Sequence, residues 1–344
     1  MALKFVDGFD HYASADILSK WSSFSGSVAI SAGNGRRSSQ ALSYPSSTTA
    51  VLAKTLSASG ATWTAGFAIF PRSGTVTAGM LFQFTDSGSD QIGVRLNADL
   101  TVQMQKQSTT LGSASVATLT ANVWQYLEVK VVVNNTTGTY EVRLNGVNIL
   151  SATGQNTRNT ANNSANGIRF GARASDGLGG AGVTTGIYID DFYVCDSTGT
   201  NTTFLGDSRV DTLYPTGAGN TTQFTASAGS NWQCVDETLQ NGDSDYVQSS
   251  TATNKDTYGF SDLSHTPTSV FGVQINMYAK KDDAGSRTLC AVTRSGGSDT
   301  DGATQGLNTS YSNLIELLDT DPNGSIAWTK AAVNAAEFGI KVVA

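Results

Sequence analysis

Residues 124–133 read WQYLEVKVVV, and this stretch decides the fold. Its side chains alternate between two faces, a period of two that predicts a β-strand. One face comprises Trp124, Tyr126, Glu128, Lys130 and Val132, and the other comprises Gln125, Leu127, Val129, Val131 and Val133. Residues 139–144 (TYEVRL) predict the returning strand. The Asn145-Gly146 pair after them predicts a two-residue hairpin turn, because both turn positions favour a positive φ.

Similar alternation recurs along the chain and predicts a protein built almost entirely of strands. Charged residues make up only 14% of the chain, and Gly, Ser, Thr, Asn and Asp, which favour turns over helix interiors, take their place. Helix is predicted only as short pieces at 12–20 and 328–337. Further strands are predicted at 3–9, 62–70, 79–85, 91–96, 147–151, 167–173, 186–195, 221–226, 244–251, 268–280, 286–294, 310–318 and 336–343.

The length of 344 residues fits two domains of ordinary size. Residues 197–203 (STGTNTT) are polar and are predicted to form a linker. Short strands at this spacing with Gly-rich turns are typical of sandwiches and jelly rolls. We therefore predict an all-β fold of two tandem antiparallel β-sandwich, jelly-roll-like domains, at 1–196 and 204–344.

The acidic charge lies in the second domain. Of the 21 basic and 28 acidic side chains, residues 1–196 carry 13 and 12, which leaves 8 and 16 for residues 197–344. A basic surface for nucleic acid is absent, and the acidic half is expected to repel phosphate backbones and anionic membranes. No apolar stretch approaches the length of a membrane-spanning helix. Nucleic-acid binding and membrane insertion are therefore not expected.

The three cysteines, Cys195, Cys234 and Cys290, have neither the spacing of a zinc site nor the even number of a disulfide framework. Buried free thiols are therefore predicted, which indicates folding in a reducing cytoplasm. The N-terminal residues lack the apolar region of a secretory signal peptide. Any release from the cell is then expected by another route, such as lysis.

Four segments of the first domain resemble laminin-G/concanavalin A-like lectin domains. They are FVDGFD at 5–10, GRRSSQAL at 35–42, the strand at 124–131 with its RLNG hairpin, and IYIDDFYV at 187–194. The resemblance covers residues 1–196. It implies a concanavalin-like sandwich whose last strand pairs with its first. It also implies that Trp124 belongs to the core.

The whole chain also resembles structural proteins of tailed-bacteriophage virions. The resemblance is carried by segments such as 206–224 (GDSRVDTLYPTGAGNTTQF), 230–237 (SNWQCVDE) and the ending at 328–343. It implies a non-enzymatic tail, fibre or capsid-decoration protein with a virion-assembly second domain. The implied partners are other virion proteins and further copies of this chain, for which a trimer is expected, together with a host surface polysaccharide. The implied location is the virion, reached by folding in the host cytoplasm and released by lysis.

Catalytic motifs are absent from the sequence. Concanavalin-like glucanases carry Glu-x-Asp-x-x-Glu on one strand, and this pattern does not occur here. Glu128 and Glu141 are the glutamates of the first domain, and nearby basic residues favour ordinary cross-strand ion pairs for them. His11 and His265 are far apart and lack a nucleophile motif. We therefore expect no enzymatic activity, no catalytic residues and no required cofactor.

A structural calcium ion is the one cofactor that the sequence suggests. If the terminal strands pair, Asp191 or its neighbour Asp190 comes close to Asp7 and Asp10, and calcium prefers such oxygen ligands. Asp7, Asp10 and Asp191 are the predicted ligands. The alternative is that these aspartates are solvated charges that block edge-to-edge strand pairing.

Trp21 and Trp232 are the candidates for contact with a glycan or with another subunit. Trp232 lies in a polar stretch, whereas the alternation around Trp63 favours the core for that residue. An exposed tryptophan beside Asn or Asp would favour a second hypothesis, a carbohydrate-binding adhesin module. A third hypothesis, a glycan hydrolase, would require two close carboxylates in a groove.

Overall fold

Strands make up about half of the computed structural model, which describes residues 3–44, 50–73, 78–171 and 186–344. The chain divides into two compact units. The first comprises Met1–Asp10 and Trp21–Val210, and the second comprises His11–Lys20 and Asp211–Ala344. The predicted linker at 197–203 thus lies within the first unit. In the described residues, no helix has both the length and the apolar character that crossing a membrane requires.

The first unit is a sandwich of two antiparallel sheets. Its described strands are β1 (Leu3–Asp7), β2 (Ser23–Ser25), β3 (Ala29–Ser31), β4 (Ala41–Tyr44), β5 (Val51–Gly60), β6 (Thr62–Pro71), β7 (Gly79–Asp86), β8 (Ser89–Leu96), β9 (Val102–Lys106), β10 (Thr109–Leu111), β11 (Gln125–Val132), β12 (Gly138–Leu144), β13 (Val147–Gln155), β14 (Ala165–Gly171) and β15 (Ile187–Asp196). The large sheet has the order β13-β12-β11-β6-β15-β4-β3, with β1 also paired to β15. The second sheet has the order β10-β9-β8-β7-β14-β5-β2.

Two local predictions for the first unit are confirmed. The stretch at 124–133 forms β11, and β12 and β13 are joined by Asn145 and Gly146 at φ values of 50° and 80°. The last strand pairs with the first, since Phe5 lies opposite Val194. This pairing places β1 beside β15 within the large sheet.

Aromatic rings fill the space between the two sheets. Phe67 of β6 lies 5.5 Å from Phe82 of β7 and 5.3 Å from Phe170 of β14, measured between ring centroids. The ring centroids of Trp63 of β6 and Phe84 of β7 are 6.3 Å apart. Such buried rings contribute large apolar areas, which stabilises a sandwich of this size. They also identify the inward face of β6, because alternate residues of a strand point to opposite sides.

The second unit is also all-β. Its described elements are a 3-10 turn (Ser14–Asp16), α1 (Ile17–Lys20), β16 (Pro215–Thr222), β17 (Thr225–Ala226), a 3-10 turn (Asn231–Cys234), β18 (Val247–Gln248), β19 (Lys255–Phe260), β20 (Val273–Ala279), β21 (Thr288–Ser295), β22 (Ser298–Asp301), β23 (Gln305–Gly306), β24 (Ser312–Leu318), β25 (Thr320–Asp321), β26 (Ile326–Ala327), α2 (Lys330–Ala335) and β27 (Glu337–Val342). A six-stranded sheet runs β16-β19-β27-β21-β22, with β23 paired to β21. The prediction of an all-β, jelly-roll-like fold is confirmed.

The pair β20–β24 packs against this six-stranded sheet. Met277 of β20 forms one buried cluster with Leu289 and Ala291 of β21. A second cluster forms around Trp328, whose ring centroid lies 6.2 Å from that of Phe338 on β27. The predicted strand at 244–251 is reduced to Val247–Gln248, because the flanking Ser and Asp residues favour turns and loops over strands.

Candidate functional site

The outer face of the large sheet, which points away from the sandwich core, carries a group of aromatic and charged side chains. Phe67 and Ile69 of β6 are fully buried toward the core, so Ala68 and Phe70 point outward. On β11, Leu127 and Val129 are buried in the core, and the alternate positions again face out. The aromatic and charged face predicted from the sequence is therefore the outer face.

Three aromatic rings form a row across one end of this face. Phe70 of β6 lies opposite Tyr188 of β15, and the register of β6 with β11 places Trp124 on its other side. The Phe70 ring centroid is 5.5 Å from that of Trp124 and 6.1 Å from that of Tyr188. All three side chains are partly exposed. We call Trp124, Phe70 and Tyr188 the aromatic row.

A cavity of about 500 Å³ lies beside the aromatic row. Polar groups line it, and the Arg72 guanidinium carbon lies 5.5 Å from the centroid of the Tyr188 ring. Its described lining consists of Asn34, Phe70, Arg72, Ser73, Asn122, Gly186 and Tyr188. The Asn122 side-chain oxygen accepts a 2.9 Å hydrogen bond from the Ser73 N–H, which holds this carboxamide in place. Aromatic rings with a few fixed polar groups around a shallow cavity are typical of a ligand site.

Residues 204–210, which we call the covering segment, lie over the part of the outer face around Glu128 and Tyr193. Beneath it the rings of Tyr126 and Tyr193 are stacked with centroids 6.5 Å apart, and both side chains are almost fully buried. Glu128 accepts a 2.5 Å hydrogen bond from the Tyr193 hydroxyl and a 2.8 Å bond from the Gly206 N–H. Burial raises the pKa of Tyr193 well above its ordinary value, so this hydroxyl stays protonated and donates.

Charged side chains bind the covering segment at Asp207 and Val210. Arg36 binds the carboxylates of Asp191 at 3.3 Å and Asp207 at 2.6 Å, and its guanidinium carbon lies 5.7 Å from the Tyr126 ring centroid. The other Asp191 carboxylate oxygen accepts a 2.8 Å hydrogen bond from the Val210 N–H. These contacts belong to the segment's own packing, so this part of the face is occupied by the chain itself.

The aspartates predicted to hold calcium all bind protein groups. Asp7 is fully buried and accepts hydrogen bonds from the Trp21 indole at 2.8 Å and from the Phe9 N–H at 2.9 Å. Asp10 accepts from the Gln40 N–H at 2.8 Å, and Asp191 binds Arg36 at 3.3 Å and Arg37 at 3.0 Å. Within the described ranges no group of three or more Asp, Glu, His or Cys side chains is arranged to hold a metal ion. Calcium binding stays a prediction.

Burial and mutual repulsion change the protonation of these carboxyls. The pKa of Asp190 is raised to about 8, because the group is desolvated and lies beside the charge of Asp191. The pKa of Asp10 is raised to about 6 by burial, with a smaller contribution from the neighbouring charges of Asp7 and Asp191. The aspartates therefore do lie close together, as the predicted pairing of the terminal strands required.

The tryptophan predictions are largely corrected by the structure. Trp21 is 2% exposed, with its ring stacked 6.1 Å from that of Phe9, so it is a core residue and cannot contact a glycan. Trp232 is half-buried in the 3-10 turn Asn231–Cys234. Trp124, which the lectin resemblance assigned to the core, lies on the outer face. A signal for this was present, because Trp124 shares its strand face with Glu128 and Lys130, whereas the other face is aliphatic.

The remaining candidates are placed as follows. Glu141 binds Arg143 at 2.7 Å on the same strand, while Glu128 binds Tyr193, so the two glutamates do not form a carboxylate pair. All three cysteines are free and buried, as predicted. His11 and His265 belong to the second unit and are not part of the outer face.

Comparison with known proteins yields likenesses of structure alone. No protein-family model and no curated protein matches the chain. Among solved structures, the alginate lyase Aly36B is 14% identical over 54% of this chain and 91% of its own, with a TM-score of 0.37. The alginate lyase vAL-1 from Chlorella virus is 11% identical over 53% and 95%, with a TM-score of 0.37. The cellulose-induced protein Cip1 is 15% identical over 50% and 86%, with a TM-score of 0.36.

These findings contradict two predictions made from the sequence. The chain was predicted to be a non-enzymatic structural component of a bacteriophage virion, and it was predicted not to be an enzyme. The similar structures include alginate lyases, which are enzymes, and none of the three is a virion structural protein. Both predictions are therefore wrong on this comparison. The likeness, at identities of 15% or less, is one of fold and assigns no activity or substrate to this chain.

Proposed function

We propose that the first unit binds a glycan chain along the aromatic row. The proposal is carried by the positions of Phe70 on β6, Tyr188 on β15 and Trp124 directly before β11, all on the outer face and all partly exposed. Sugar rings have an apolar face of C–H groups, and packing that face on an aromatic ring removes apolar surface of both from water. A row of neighbouring rings suits an extended chain of such units.

The polar lining of the cavity supports the same function. Sugar hydroxyls require hydrogen-bonding partners wherever water is displaced, since unpaired polar groups are costly. Asn34, Ser73, Asn122 and Arg72 lie where such partners are needed, beside Phe70 and Tyr188. This function corresponds to the carbohydrate-binding hypothesis from the sequence. It uses Trp124 instead of Trp21 or Trp232, and it lies on the outer face of the large sheet.

Affinity electrophoresis in native gels tests the proposal. The wild-type chain is compared with Trp124→Ala in gels that contain neutral or acidic polysaccharides. Phe24→Ala is the matched control, because Phe24 is 40% exposed and lies on β2 of the second sheet. We expect at least one polysaccharide to retard the wild type and Phe24→Ala, and Trp124→Ala to bind it about tenfold more weakly. Equal retardation of all three proteins, or of none, would contradict the proposal.

A further inference from the structure

Resting on that proposed function, we infer that the aromatic row takes an acidic glycan and that Arg72 binds the carboxylate of a uronic acid unit. Arg72 is exposed at the end of β6 and lines the cavity beside Phe70 and Tyr188. The described lining of that cavity includes no acidic side chain, so no carboxylate of the described lining pairs with the guanidinium. The aromatic row by itself does not select the class of glycan.

Other arginines of the first unit form ion pairs, whereas Arg95 and Arg158, like Arg72, have none among the described residues. Arg36 binds Asp191 and Asp207, Arg143 binds Glu141, and Arg169 binds Asp90. In the described part of the chain, the Arg72 guanidinium has no such ion pair, and its contact is with the face of the Tyr188 ring. An arginine that stabilises the fold usually has an internal acceptor. Arg72 keeps its donors for a group that comes from outside the chain.

The local backbone holds Arg72 against Tyr188. The Arg72 N–H donates to the Gly186 carbonyl at 3.1 Å, which joins the end of β6 to the residue before β15. A Cβ at Gly186 would lie 2.8 Å from the Arg72 Nη1 atom and 2.9 Å from its Cδ atom. Glycine at this position therefore leaves the space in which the arginine side chain lies along the ring.

A guanidinium stacked on an aromatic ring still presents its N–H groups at the edge of its plane. A carboxylate accepts hydrogen bonds from two of those donors at once and carries the opposite charge. A hydroxyl or a neutral ester lacks that charge, so it binds the guanidinium more weakly. In a uronic acid the carboxylate projects from the rim of the sugar ring, while the C–H face remains free to pack on an aromatic side chain. One sugar unit can therefore contact Tyr188 and Arg72 together.

The test uses the full chain and a matched pair of polysaccharides, a polyuronate and the same polymer with its carboxylates reduced to alcohols. A sulfated polysaccharide of similar length is the third ligand, since it carries negative charge without the planar carboxylate. Dissociation constants are measured by isothermal titration calorimetry at low and at high salt. The variants are Arg72→Gln, Arg72→Lys and the control Arg95→Gln, which removes the same charge from β8 of the second sheet.

We expect the wild type to bind the polyuronate about tenfold more tightly than the reduced polymer. Arg72→Gln should abolish this preference while it keeps the weaker binding to the reduced polymer, Arg72→Lys should keep part of it, and Arg95→Gln should keep all of it. A preference that survives in Arg72→Gln, or that falls equally in Arg95→Gln, would overturn the inference and leave the proposed function standing. Tighter binding to the sulfated polymer than to the polyuronate would also overturn it. Failure of every polymer to bind would instead remove the proposed function itself.

Discussion

Trp124, directly before β11, and Tyr126 of β11 occupy successive outward positions of the large sheet, yet one is partly exposed and the other is buried. Trp124 is partly exposed and belongs to a row of rings with a cavity beside it. Tyr126 is 1% exposed and donates a 2.9 Å hydrogen bond to the Asp191 carbonyl. The covering segment lies over Tyr126 and not over Trp124.

This difference shows how one sheet face can serve two purposes. Where residues 204–210 cover the face, aromatic rings pack with Glu128 and Arg36 in a hydrogen-bonded layer that stabilises the unit. Where the segment does not reach, similar rings remain available to a ligand. Substitutions in the covered part should therefore change stability without changing affinity, and substitutions in the aromatic row should do the reverse.

The largest effect is expected from Glu128→Ala in the covered part. This change leaves the Gly206 N–H and the Tyr193 hydroxyl without their buried acceptor, which should lower the free energy of unfolding of the first unit by about 3 kcal/mol. Hydrogen exchange of the strands β6, β11 and β15 measures this change. Glu141→Ala, which removes a surface ion pair from the next strand, should cost less than about 1 kcal/mol. Equal losses in both variants would show that the covered layer has no special stability.

Gly66→Ala should cost about 2 kcal/mol, because the new Cβ would lie 2.3 Å from Tyr193 Cε1 and 2.9 Å from Tyr126 Cε1. The buried rings must then shift beneath the covering segment. Gly60→Ala is the control, since no atom lies within 4 Å of a Cβ at that position. Chemical denaturation of both variants, followed by hydrogen exchange of the first unit, separates the two outcomes. A Gly66→Ala variant as stable as Gly60→Ala would contradict the tight packing of the two tyrosines.

Tyr188→Ala should weaken glycan binding about fivefold, which corresponds to about 1 kcal/mol, and leave stability nearly unchanged. Tyr126→Phe should do the opposite, since it removes one buried hydrogen bond, to the Asp191 carbonyl, and no exposed surface. Calorimetric titration and thermal unfolding of the two variants give both quantities. A loss of affinity in Tyr126→Phe would show that the covered part also contacts the glycan.

The pH dependence of stability should follow the protonation of Asp190. The pKa of Asp190 is raised to about 8 in the folded chain from an ordinary value of 3.8, so the folded state binds more protons than the unfolded state between these values. The stability of the first unit should therefore fall as pH rises from about 5 to about 8, and Asp190→Asn should reduce this slope. Thermal unfolding across that range provides the measurement. A stability that rises with pH over the same interval would contradict the assignment.

The sequence predicts the strands of the first unit well but not the use of their faces. Alternation in 124–133 and the Asn145-Gly146 turn determine the hairpin locally, and the structure contains both. Alternation shows which residues share a face but not which face points inward, and for Trp124 the lectin resemblance indicated the wrong face. The aliphatic face of the same strand was the better guide, because apolar side chains drive burial.

Long-range contacts of the site could not be predicted from the sequence. The hydrogen bond from Trp21 to Asp7 and the cover that residues 204–210 provide for Glu128 join parts of the chain with no periodic relation. The same holds for Arg72, which is an ordinary residue in the sequence until Gly186 and Tyr188 are placed beside it. Local propensity carries no information about such contacts, so only the folded chain reveals them.

The most direct measurement of glycan binding at the aromatic row uses the five indole N–H signals of the chain. The protein is labelled with ¹⁵N at tryptophan, each signal is assigned by Trp→Phe substitution, and uronate oligosaccharides are titrated in. Glycan binding at the aromatic row should shift the Trp124 signal in a saturable way, while the signals of Trp21, Trp63 and Trp328, which are buried, should not move. A shift confined to Trp232, or no shift of Trp124 with any oligosaccharide that binds, would contradict it.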